Sequence, residues 1–108
     1  MDLVYQIKVF KKSADLVYNA KDYTSATVLF FKTLFAIHDF ILFKKIGQTP
    51  KDHNERFRLL QKNFNKDYNI LDSEFNTYRS TYFNQTTKET CERIKELVEN
   101  AITDHKIE

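Results

Sequence analysis

The chain has 108 residues, enough for one hydrophobic core and too few for two, so residues 1–108 read as a single domain. One glycine and one proline leave almost none of the punctuation that strands and hairpins need, which argues against a β architecture and for an all-α fold. A net charge of +2 gives no whole-chain signal for nucleic acid, and a single cysteine, Cys91, excludes an intrachain disulfide and a cysteine-based zinc site.

The opening residues MDLVYQIKVFKK lack the basic-then-apolar layout of a signal peptide and read as the start of a helix. From an N-cap at Asp2 to about Ala20, the positions Leu3, Ile7, Phe10, Ala14 and Val17 recur in steps of four and three, one stripe facing a neighbour. A second helix is expected to begin near Thr24 or Ser25 and to reach Lys45 or Ile46. Its apolar residues, from Val28 and Leu29 to Leu42 and Phe43, surround most of the circumference. Only Ser25, Lys32 and Asp39 make a polar seam, at seven-residue spacing. Such a helix must be covered on nearly every side, by its own bundle, by a second subunit, or by both. Both are expected here. Lys32, His38 and Asp39 interrupt its apolar run short of the roughly twenty residues of a membrane span, so a soluble, cytoplasmic protein is expected.

The stretch KKIGQTPKDHNERF holds the only glycine and the only proline. Gly47 fits the left-handed cap of the second helix, with Lys44 and Lys45 favourably placed in its last turn. Thr49 and Pro50 are expected to start a third helix, running to about Asn65 with Phe57, Leu60 and Phe64 inward and His53 in its first turn. A break near Asn65 to Asp67 precedes a fourth helix with a largely aromatic stripe, Tyr68, Leu71, Phe75, Tyr78 and Tyr82. Thr86 and Glu89 suggest a capping box for a fifth helix, carried to about His105 by Cys91, Ile94, Val98 and Ala101. The whole reads as an up-down bundle of four or five helices.

Charge is unevenly spread. Residues 44–66 hold seven Lys and Arg against Asp52 and Glu55, an excess of five that leaves the remainder at net −3. A solvated face is the first expectation for this segment, and contact with phosphate or an acidic protein face the second. The three histidines share no helical spacing, and no Glu-x-x-His pair is present, so no metal site and no cofactor are expected. With one glycine there is no phosphate cradle, and nothing local activates a serine or Cys91 as a nucleophile. His38 is expected to be a buried or interface histidine with a hydrogen-bond partner, and His105 to sit at a fraying end. In TYRSTYFNQ, Arg79 lies four residues after Phe75 and three before Tyr82, a guanidinium at the edge of the aromatic stripe. It is suited either to a phosphate or carboxylate ligand or to packing on the rings.

The apolar helix SATVLFFKTLFAIHDFILFKKIG, the corner QTPKDH, YRSTY in the fourth helix and the final TKETCERIKELVENAI together resemble the HEPN superfamily of small all-α bundles. The resemblance covers most of the chain. It implies a homodimer, and the apolar excess of the second helix puts the interface on the second and fourth helices, at Phe31, Phe35, Phe40 and Tyr78. It also implies a possible partner in a minimal nucleotidyltransferase, as in toxin-antitoxin pairs. Catalytic HEPN members are metal-independent ribonucleases with an arginine followed four to six residues later by histidine. Arg79 matches the arginine, but Phe83 to Gln85 or Thr86 stand where the histidine would be. The resemblance therefore implies a non-catalytic module binding a nucleotide, RNA or that partner through Arg79, Tyr82 and His53. The alternative is a ribonuclease with a non-standard site in which His53 serves with Arg79.

Overall fold

The computed structural model describes residues 2–108, which form five helices: α1 (Leu3–Asn19), α2 (Tyr23–Ile46), α3 (His53–Asn63), α4 (Asn65–Ser80) and α5 (Lys88–Asp104). At a rise of about 1.5 Å per residue, the 24 residues of α2 span about 36 Å, close to the 38 Å long axis of the molecule. It is the central rod, and each of the other four helices touches it. Ala26, Thr27, Phe30, Phe31, Thr33, Leu34, Ala36, Ile37, His38, Ile41 and Leu42 are all buried along it. α2 is long and apolar enough to cross a membrane, yet 67% of that window is covered by the rest of the chain.

The core thus supplies most of the cover that the second helix needs without a second subunit. Phe31, expected at a subunit interface, is fully buried inside its own chain, so it offers no surface to a partner. Phe35, Phe40 and Tyr78 are half-buried, and Phe43 near the end of α2 is exposed.

Helix starts follow side-chain oxygens that accept from the free amides of the first turn. Asp2 caps α1 and Asp22 caps α2, accepting from Tyr5 N and Ser25 N at 3.1 Å each. The α3 start differs from expectation. Asp52, not Thr49, is the N-cap, accepting from Glu55 N at 2.8 Å while Glu55 Oε1 accepts from Lys51 N at 3.1 Å. Aspartate and glutamate together close the corner, and Pro50 lies in the connection before it. Likewise Thr87, not Thr86, caps α5, accepting from Thr90 N at 3.1 Å. Thr86 instead donates its amide to Thr24 Oγ1 at 2.9 Å, which ties the start of α5 to the start of α2.

Three of the five helices, α1, α2 and α5, end with left-handed residues. Gly47 (φ 73°) closes α2 as its position predicted, and Lys21 (φ 64°) and Lys106 (φ 55°) play the same part after α1 and α5. With one glycine in the chain, lysine takes the strained conformation at the other two ends. Between α3 and α4 there is only Phe64, extended at φ −144°, which ends one helix and starts the next.

One ion pair joins α3 to the rod. Arg56 Nη1 donates to Asp39 Oδ1 at 2.9 Å and to the Phe35 carbonyl at 3.0 Å, and its guanidinium lies 5.0 Å from the Phe35 ring centre. The Arg56 side chain is 9% exposed. Arg56→Ala leaves a half-buried carboxylate without its cation, so a loss of about 3 kcal/mol is expected in urea unfolding. Arg79→Ala, at an exposed position, serves as the control, with a change within about 0.5 kcal/mol.

Candidate functional site

α2, α3 and α4 meet in a continuous set of aromatic rings. Phe31 and Phe35 come from α2, four residues apart on the side facing α4, and Phe75, Tyr78 and Tyr82 follow in steps of three and four from the fourth helix onward. Tyr78 lies in the middle, 5.3 Å from Phe31, 5.0 Å from Phe35 and 5.5 Å from Phe75 between ring centres.

His53 enters this set as the first residue of α3, fixed there by the Asp52 cap. Its ring is 4.7 Å from Phe35, 5.4 Å from Phe75 and 5.6 Å from Tyr78. Nδ1 of His53 is cut off from solvent and has no hydrogen-bond partner among the described residues, and the same holds for Nε of Arg56. Burial pushes the His53 pKa below its ordinary value, and the nearby Arg56 cation pushes it the same way. Burial also raises Asp39 and lowers Arg56, with the mutual attraction of the pair opposing both shifts. The Tyr78 hydroxyl shares a 2.8 Å hydrogen bond with Tyr82, and burial with that bond pushes it up to about 12.

Outward from Tyr78 the rings become free. Tyr82 is 69% and Phe83 86% exposed, at ring centres 6.5 Å apart, just past the end of α4. Arg79 is exposed in the last turn of α4 and has no ion-pair partner among the described residues.

Of the residues singled out from the sequence, His53 and Tyr82 both touch Tyr78, so these belong to one cluster. Arg79 is on the exposed side of α4, and the arginine packed with His53 is Arg56, one turn further along the same helix. Sequence reading placed Arg56 among solvated charges. The signal that could have found it was Asp39, a carboxylate on an otherwise apolar rod that must have a cation nearby. Phe83 was counted only as a missing histidine, whereas it is the most exposed large apolar side chain among the described residues.

The other histidines also differ from expectation. His38 is buried as expected, but its Nδ1 has no partner, and burial holds its pKa well below the usual value. His105 does not fray. It ends α5 half-buried, with Nε2 3.0 Å from Asp67 Oδ1 and its ring edge-on to Phe64 at 5.7 Å. No group of three or more His, Cys, Asp or Glu positioned for a metal exists among the described residues. Cys91 is fully buried and its thiol is pushed up by burial, which suits packing.

The chain matches no family model, and comparison with curated proteins and with solved structures finds no match.

The lowered pKa of His53 gives a signed prediction. As pH falls through about 6.5 the unfolded chain takes up a proton before the folded one, so stability present above that pH is lost toward acid. Thermal unfolding between about pH 7.5 and pH 5 will show a falling Tm, and His53→Phe will make the fall shallower, with His38 supplying what remains.

Proposed function

We propose that this chain is a non-catalytic, HEPN-like module of the cytoplasm that binds single-stranded RNA or a nucleotide at the end of α4. The observation that carries the reading is the pair of exposed rings, Tyr82 and Phe83, beside the unpaired Arg79. Exposed aromatic faces accept unstacked bases whatever their sequence, and a neighbouring guanidinium meets phosphate. Tyr82 rests on Tyr78, which packs in turn on His53.

The resemblance adds two further parts to the proposal, assembly as a homodimer and pairing with a minimal nucleotidyltransferase. Phe35, Tyr78 and Phe40, each half-buried, remain candidates for the dimer face, and Phe31 does not. Light scattering on purified protein tests assembly, and a monodisperse monomer removes that part while leaving the binding surface in place.

Fluorescence anisotropy with a labelled RNA of about ten nucleotides tests the binding. Tyr82→Ala with Phe83→Ala should weaken it about tenfold or more, and Arg79→Ala should weaken it with a shallower salt dependence. Equal affinity across these variants rejects the reading. RNA incubated with the wild-type chain should stay intact. Cleavage abolished by both Arg79→Ala and His53→Ala would instead establish the ribonuclease alternative.

A further inference from the structure

At the opposite end of the rod, the last turns of α2 and α5 meet the α3–α4 joint around a cleft of about 300 Å³. Phe40, Lys44, Lys45, Phe64, His105 and Lys106 line it. We propose that this cleft binds a phosphate monoester carried on a small, flat apolar body.

The cations come first. The basic segment 44–66 keeps six of its seven cations exposed, but its members separate in the fold. Arg56 is buried against Asp39, and Arg58 leans on Glu55 at 3.4 Å. Lys44 and Lys45 turn up in the cleft, where Lys106 joins them from the far end of the chain. Lys45 is held as a fixed cation, its Nζ donating to the Asn63 carbonyl at 2.9 Å and lying 4.9 Å from the Phe64 ring centre. Lys44 and Lys106 are exposed and have no carboxylate partner among the described residues. Asp104, the one carboxylate side chain in the lining, is bound by Lys66 at 2.8 Å.

Helix ends do not account for this charge. The C-termini of α2 and α5 each bring about half a negative charge, against three whole positive ones. What is left over favours an anion, and lysine ammonium groups act on phosphate as point charges from several directions.

The walls select the rest of the ligand. Phe40 and Phe64, with Ile41 between the lysines' helix and the core, give an apolar lining suited to a ring. The volume is at the small end for ligand sites, enough for one compact molecule and not for a strand. The site is separate from the Tyr82 surface: Thr24 contacts Thr86 at one end of α2 and Lys45 contacts Asn63 at the other, about 30 Å apart along the helix.

Phenyl phosphate is the probe, titrated into isotope-labelled protein and followed by amide chemical shifts, with inorganic phosphate and benzyl alcohol as the two halves of the molecule. Saturable shifts are expected at Phe40 to Lys45, Phe64 and Lys106, with Kd about 1 mM or tighter, and each half alone should bind more weakly. Lys44→Ala with Lys106→Ala should loosen binding about tenfold, and circular dichroism checks that the variant keeps its fold. Tyr82→Ala with Phe83→Ala should leave this titration unchanged, which separates it from the RNA-binding reading. Absence of saturable shifts, equal affinity in the lysine variant, inorganic phosphate binding as tightly as phenyl phosphate, or loss in the Tyr82 variant each overturns the proposal.

Discussion

A helix without a polar side has to be surrounded, and the rest of this molecule is the means of surrounding α2. Phe30, Phe31, Leu34, Ile37, Ile41 and Leu42 are each worth about 2 kcal/mol when removed from water, an upper figure against a compact unfolded chain. No other element has a comparable apolar load. α1 and α5 cover one part of the rod with amphipathic stripes, and α3 with α4 cover the remainder with rings and with Leu59, Leu60 and Leu71. The polar seam is absorbed in two ways: Ser25 and Lys32 reach solvent, and Asp39 is neutralised by Arg56.

Covering a helix with rings has chemical consequences that aliphatic cover does not. Aromatic side chains meet edge to face and leave narrow gaps, and the polar atoms caught among them are hard to satisfy. Nδ1 of His53 and Nε of Arg56 are two such atoms on one flank, and burial pushes the pKa of both groups down. The same ring ladder continues past the end of its helix into water as Tyr82 and Phe83. Core and exposed rings are therefore one aromatic series, which couples the stability of the α2–α4 contact to the posture of the outer rings.

Much of the architecture could be read from the sequence because it rests on spacing. The apolar circumference of α2, the stripe of α1, the left-handed Gly47 and the break before α4 are all written in local residue order. The capping residues of α3 and α5 were misplaced by one to three positions because several Thr and Asp side chains compete at each start, and the choice depends on which amide points outward. Arg56 and His105 were misjudged for a different reason. Each is an ordinary polar residue in sequence, and its burial comes from a carboxylate 17 or 38 positions away. The candidate site was legible in part: the aromatic period singled out Tyr82 and the Gly47–Pro50 corner singled out His53, while Phe83 carries no periodic signal and the gathering of Lys44, Lys45 and Lys106 is created by the tertiary fold alone.

The way α3 and α4 are attached has a mechanical consequence. They hold each other through more of their length than either holds α2, and side chains do most of the attaching: rings and leucines, Arg56 to Asp39, Lys45 to the Asn63 carbonyl, and the Arg93–Glu74, Lys66–Asp104 and His105–Asp67 pairs to α5 and its end. A unit held to the rod by side chains, with far less close backbone contact than α1 has, opens whole before the α1–α2 pair loosens. Amide hydrogens of α3 and α4 would then exchange together, on a faster clock than those of the rod, and the chain would behave as a hinged clasp closed by Arg56 on one side and by the pairs to α5 on the other.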